Sequence, residues 1–223
     1  MPAPKTTSSS APQGGVSGSG RPSAGRFIYL ASQSPRRRQL LEQIGVRHEL
    51  LLPGADEDAE ALEAVQADEL PETYCARVTA AKLDAALARL AARGLPTAPI
   101  LCADTTVAVE GLILGKPADE ADAARMLALM SGRAHRVITA VAVADASRRV
   151  ATLNVSEVEF APLSAAQIER YVRSREPFGK AGAYAIQSQA AAWIVKIAGS
   201  YSGIMGLPLF ETATLLEKFG FEF

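Results

Sequence analysis

Phe27-Ile-Tyr-Leu-Ala-Ser32-Gln-Ser-Pro-Arg36-Arg37-Arg-Gln-Leu40-Leu41 sets a short apolar run directly against the start of a helix. A run of that length, closed by polar residues, reads as a buried strand. Ser34 suits an N-cap and Pro35 the first helical position, where a missing N–H costs nothing. Leu40, Leu41 and Ile44 then share one face, and Gly45 follows as a stop signal. Strand, polar loop and helix in that order open a layer of α/β structure, and the loop between them is where backbone N–H groups stand unpaired.

Working outward, the pattern predicts a strand near 47–52 and an Ala-rich helix near 71–93. Ile100-Leu-Cys-Ala reads as a strand that ends at Asp104, and Glu110-Gly111 turns the chain into Leu112-Ile-Leu as a small hairpin. A helix over about 119–130 places Ala123, Leu127 and Met130 on one face. Alternating stretches at 136–144 and 150–160, joined through Asp145-Ala-Ser, read as an antiparallel pair. Ser164-Ala-Ala-Gln167 is a capping box; Ala191–Ile197 reads as a strand, 199–203 as a Gly/Ser loop, and a last helix follows Gly206-Leu-Pro208. Both βα steps and antiparallel pairs occur, which predicts an α/β or α+β fold around a mixed sheet. Residues 1–25, rich in Ser, Gly, Pro and Ala, have too little to bury and read as a disordered tail, leaving 26–223 as one domain.

With 23 Lys+Arg against 24 Asp+Glu, the chain lacks the broad positive field that a nucleic-acid polymer selects, so any phosphate site is local. Two isolated cysteines, Cys75 and Cys102, have neither metal-ligand spacing nor the density of a disulfide framework. No export signal or membrane span is read, and a cytoplasmic location is expected.

Three segments carry candidate chemistry. Arg36 and Arg37 fall in the first turn of a helix with no acid beside them, where they oppose the helix dipole unless an anion arrives. Removing them is therefore expected to stabilise the empty protein slightly; a solvated basic face is the plainer alternative. Asp104 stands where open sheets place ligands, or serves as a turn former. Lys116, in Gly115-Lys-Pro117, is no P-loop lysine, because Pro follows it. Glu57 lies in an acidic stretch that also reads as a solvated loop, and Lys180–Gln187 also reads as a packed turn. His48 and His135 have no ligand-like neighbours.

Taken together these segments resemble the Maf family of nucleotide pyrophosphatases. The resemblance is carried by Leu30-Ala-Ser-Gln-Ser-Pro-Arg-Arg37 with Leu40-Leu41, Ala103-Asp-Thr-Thr-Val107, Gly115-Lys-Pro117, and Met130-Ser-Gly132 with His135. Lys180-Ala-Gly-Ala-Tyr-Ala-Ile-Gln187 and Gly199-Ser-Tyr201 with Gly206-Leu-Pro208 complete it, in the family's order over roughly residues 27–220.

The resemblance implies an α/β fold like that of the inosine-triphosphate pyrophosphatases, with a mixed twisted sheet flanked by helices and a cleft between two lobes. It implies a hydrolase that cuts a small nucleoside triphosphate to monophosphate and pyrophosphate, with a homodimer as the assembly and no role for a nucleic-acid polymer or a membrane. By position, Asp104, Lys82 and Lys116 are the catalytic residues, and Ser32, Arg36 and Arg37 hold phosphate. Glu57 and Asp104 would bind a divalent cation, Mg²⁺ or Mn²⁺. Arg36, Thr105 and Gln187 match the subgroup acting on dTTP and UTP. A Gln amide both donates and accepts, which suits the imide edge of a pyrimidine, whereas a Glu suits the donor edge of guanine. The alternatives are a 7-methyl-GTP pyrophosphatase of the same fold and a nucleotide-binding regulator of septum formation without significant turnover.

Overall fold

The computed structural model describes residues 26–55, 57–58 and 61–223, with Met1; the tail expected over 1–25 otherwise lies outside the described residues. The first half contains β1 (Ile28–Leu30), α1 (Pro35–Gln43), β2 (His48–Leu50), α2 (Pro71–Ala92), β3 (Ile100–Val109) and β4 (Leu112–Leu114). The second contains α3 (Glu120–Met130), β5 (Ala134–Ala144), β6 (Arg149–Phe160), α4 (Ala165–Arg173), β7 (Ile194–Ala198), α5 (Tyr201–Met205) and α6 (Leu209–Glu217). The strands form one mixed sheet in the order β2-β1-β3-β5-β6-β7, with β4 beside β3. β1 runs parallel to β2 and β3, and every later pairing is antiparallel. Among the described residues no helix is long and apolar enough to cross a membrane.

β3 organises two lobes. Near its start both faces are covered: Ile100 and Cys102 pack with Tyr29, Leu83 and Ala86 under α2, while Leu101 and Ala103 pack with Leu30, Leu41 and Leu215 on the other side. This is why the run Ile100–Ala103 shows no polar alternation. Farther along, Val107 and Val109 enter a separate core built on Leu127, Met130, Ile168 and Tyr171. The polar residues Asp104, Thr105 and Thr106 lie between the two cores.

A gap in the sheet edge opens the cleft. β1 pairs with β3 at Tyr29↔Ile100 and Leu30↔Leu101 and no farther, and β4 takes up the same edge only from Val107↔Leu114. Residues 102–106 have no strand on that side among the described residues. The sequence expectation that the strand stops at Asp104 is thereby corrected: β3 continues, and it is the neighbour β1 that ends.

Two further expectations change. Gln189–Trp193 forms a 3₁₀ turn, so the strand begins only at Ile194; Trp193 packs edge-on against Tyr171 at 4.9 Å, which draws the chain inward. The expected Gly/Ser loop contains α5, capped by Ser200 through the Gly203 N–H. The Ser164–Gln167 capping box forms, whereas Ser34 takes the N-cap position without a side-chain cap.

His135 is buried in the second lobe, its Nε2 at 2.8 Å from Tyr184 Oη and its ring edge-on to Phe160 at 4.8 Å. Burial pushes its pKa down to about 4. The unfolded chain binds this proton near pH 6.5 and the folded one does not, so stability present above 6.5 is lost as pH falls through about 4. We expect a loss of about 2–3 kcal/mol from this residue between pH 7 and 4. Urea unfolding at both pH values should show a smaller loss in His135→Gln; an identical loss would clear His135.

Candidate active site

The cleft is a cavity of about 710 Å³ lined from both lobes, by Ser32, Arg36, Asp104, Lys116 and Gln187 among others. Three elements meet there, and α2 supplies one face of it. Cys75, Lys82 and Arg89 are seven residues apart along that helix and fall on one side of it. Cys75 Sγ lies 3.4 Å from the Asp104 carbonyl oxygen, a donor contact preserved because burial pushes the thiol up to about 12. Lys82 Nζ donates to Asp104 Oδ1 at 2.6 Å and to Glu63 Oε1 at 2.7 Å. Burial pushes Lys82 down, but Asp104 and Glu63 outweigh it and the net direction is up, so the ammonium stays charged.

Glu63 continues the chain of charges. It ends a single 3₁₀ turn, Ala61–Glu63, and its Oε2 accepts from Lys116 Nζ at 2.8 Å. Burial raises this carboxyl, yet the ammonium groups of Lys116 and Lys82 bring it below the usual range. Asp104, Lys82, Glu63 and Lys116 thus alternate in sign across the cavity. Neither Glu63 nor Arg89 was singled out in the sequence. Glu63 lies just past the acidic stretch around Glu57 and belongs to no motif, and only the i, i+7 spacing of Lys82 and Arg89 marks the latter.

Glu57 is placed otherwise. Arg89 donates to both of its oxygens, at 2.8 Å from Nε and 2.5 Å from Nη2, and the Gly54 N–H adds a third contact at 3.0 Å. The Arg89 contacts lead in holding the carboxyl down at about 2. Glu57 lines the cavity, but its partner is this arginine and not Asp104.

On the other side of β3, Arg37 is spent on the scaffold. It donates through Nε to Gly206 O at 2.7 Å, through Nη1 to Ser32 Oγ at 3.1 Å and through Nη2 to Thr105 Oγ1 at 3.1 Å. Thr139 Oγ1 gives its proton to Gly203 O at 2.8 Å, so in the 3.0 Å contact between the two threonines Thr105 is the donor. The result is a directed relay from Arg37 through Thr105 and Thr139 to Gly203. Arg36 uses only Nε, toward Met205 O at 3.2 Å, and its terminal nitrogens carry no hydrogen bond from the described residues. Both arginines therefore meet carbonyls at the C-terminal end of α5, where positive charge is favourable. The expected gain in stability on removing them does not hold for Arg37.

The segment Lys180–Gln187 closes the cavity wall, with Gln187 exposed on it. Gly182 has φ +67°, and a Cβ there would lie 2.8 Å from Val107, so only glycine lets this segment lie against β3. Its N–H donates to Gly115 O at 3.1 Å, tying it to the loop that carries Lys116.

Among the described residues no three His, Cys, Asp or Glu side chains cluster as a ready-made metal site. Asp104 nonetheless suits a hard cation. Only its Oδ1 is engaged by the described residues, and Mg²⁺ typically takes one or two carboxylates, completing its shell with water and phosphate oxygens.

The sequence model of the family described as Maf-like protein matches residues 27–219. A dTTP/UTP pyrophosphatase of Albidiferax ferrireducens is 63% identical over 196 residues, spanning 88% of this chain and 98% of that protein. One of Ralstonia nicotianae is 64% identical over 192 residues, or 86% and 93% of the two chains. Another, of Burkholderia pseudomallei, is 62% identical over 193 residues, or 86% and 92%. A solved nucleoside-triphosphatase / dITP/XTP pyrophosphatase from Mycobacterium abscessus aligns with a TM-score of 0.39 and 16% identity, over 61% of this chain and 75% of that one. With a family match over nearly all the described residues and relatives this similar along almost their whole length, the chain belongs to the Maf family.

Proposed function

We propose that this chain hydrolyses pyrimidine nucleoside triphosphates, dTTP and UTP, to the monophosphate and pyrophosphate. The observation that carries the reading is the Asp104 carboxylate facing a cavity whose other charged groups are mainly cations suited to phosphate. The names of its close relatives support the same substrate class.

A triphosphate brings several negative charges, and its hydrolysis requires a water in line with phosphorus and donors on the equatorial oxygens. In our reading Asp104 orients that water and takes its proton. Lys82, fixed at 2.6 Å from Asp104, places positive charge beside the reacting phosphate, and Lys116, on the loop after β4, adds a second ammonium across the Glu63 carboxylate. Arg36 offers its terminal nitrogens as a fork for phosphate oxygens, while Ser32 and Arg37 shape the loop that receives them. Asp104, whose second oxygen is unengaged among the described residues, would hold a divalent cation such as Mg²⁺, with Glu57 as a second carboxylate once Arg89 gives it up. When bound, that ion supplies charge neutralisation and lowers the pKa of coordinated water.

Gln187 serves as the reader of the base, offering both a donor and an acceptor to the pyrimidine imide. Arg36 lies beside it in this reading, and Thr105 acts through Arg37. A site built on such a pattern rejects the wrong edge because its polar groups would be left unpaired.

Pyrophosphate release from dTTP, UTP, GTP and 7-methyl-GTP, with and without Mg²⁺, tests the reading. We expect kcat/KM for both pyrimidine nucleotides to exceed that for 7-methyl-GTP by at least about tenfold. A higher value for 7-methyl-GTP overturns the base assignment; no release from any of the four overturns the reaction.

A further inference from the structure

We infer that Glu63 occupies, in the free protein, the place of a substrate phosphate between Lys82 and Lys116, and swings out when a polyphosphate enters. The inference rests on the proposed reading of those two lysines as phosphate ligands.

The geometry is that of an anion already bound. One carboxylate divides its two oxygens between ammonium groups from different elements, 2.7 Å to Lys82 and 2.8 Å to Lys116. A phosphoryl group presents two oxygens at a comparable spacing, so it can take over both contacts without either lysine moving far. Charge balance points the same way. With Glu63 in place, Asp104, Lys82, Glu63 and Lys116 sum to zero, and the lysines are not left unneutralised in a partly buried cavity. An incoming polyphosphate supplies that neutralisation itself, and Glu63 beside it becomes a like charge.

The mount of Glu63 also differs from those of its partners. Lys82 stands in the middle of a long helix packed on the sheet, whereas Glu63 ends a single turn of three residues, none of them buried. Apart from its two lysine contacts, the described residues hold this turn through backbone groups: Tyr74 Oη donates to Glu63 O at 2.8 Å, and Arg77 Nη2 to Ala64 O at 2.8 Å. Neither involves the carboxylate, so the side chain can rotate away while the turn stays anchored.

Such a resident anion sets which ligands bind. The apparent affinity of any phosphate ligand falls by the fraction of molecules in which Glu63 has moved aside. A polyphosphate has charge enough to displace it; a monophosphate has much less. The device thus weakens every phosphate ligand by the same factor, which a polyphosphate offsets with its further contacts and a monophosphate does not, so that the return of Glu63 promotes departure of the monophosphate product.

The test is calorimetric titration of inorganic tripolyphosphate and of orthophosphate into wild type, Glu63→Gln and Glu63→Ala, with EDTA present to exclude metal. Both variants should bind tripolyphosphate about three- to tenfold more tightly than wild type. The gain for orthophosphate should be at least as large, with circular dichroism unchanged. Equal or weaker binding by both variants overturns the inference, because Glu63 would then be an aid to the ligand or a bystander. Lack of triphosphate hydrolysis by wild type would overturn the proposed reaction, while leaving this metal-free measurement to stand or fall by itself.

Discussion

Asp104→Asn should lower kcat for dTTP by about 10²–10⁴-fold, the range typical of a positioned acid–base group. The substitution keeps size and shape, and its amide oxygen can still accept from Lys82, which in any case retains Glu63. What disappears is the negative charge to which the proposed reaction assigns the orienting of water, the acceptance of its proton and the attraction of a cation. Pyrophosphate release under saturating substrate, alongside circular dichroism, measures the effect. Retention of more than about a tenth of wild-type kcat by a folded variant would remove Asp104 from the reaction.

Arg37→Ala should destabilise the protein by about 3–5 kcal/mol, since charged donors contribute more than neutral ones and truncation strands their acceptors. Gly206 O, Ser32 Oγ and Thr105 Oγ1 would each lose a partner. Burial already holds the guanidinium below its usual pKa, with the Asp104 charge offsetting part of that. Arg36→Ala, which loses one longer contact to Met205 O, should cost less than about 1.5 kcal/mol and act chiefly on KM. Guanidinium unfolding of both variants distinguishes them; equal stabilities would return Arg37 to a simple phosphate-binding role.

Local signals in the sequence proved good guides to local structure. The strand and helix opened by Phe27–Leu41, the turn at Glu110-Gly111 and the Ser164–Gln167 capping box depend on residues within a few positions of one another, and each forms. The course of β3 past Asp104 was not legible in the same way. Its polar stretch at 104–106 looks like a terminus, and only the separate ends of β1 and β4 show that it spans a gap. Arg37 reads as a phosphate ligand because its nearest acceptor, Gly206 O, is 169 residues away in sequence. Glu63 and Arg89 had no motif to advertise them; a helix face seven residues long and a loop that folds over it bring them to the cavity. Ser32, Arg36, Asp104, Lys116 and Gln187, all legible as candidates in the sequence, line that cavity, whereas the pairing among its charges is not legible there.

The reach of Arg37 has a further consequence for synthesis. A nascent chain that has emerged only as far as Lys116 already carries Ser32, Arg36, Lys82 and Asp104, but the carbonyls of Met205 and Gly206 that fix the arginine pair are still missing. Contacts of such sequence separation close late, after most loop-closure entropy has been overcome. A chain cut short before residue 205 should therefore leave both arginines without the carbonyls that fix them, although every other residue of the strand-loop-helix opening is present.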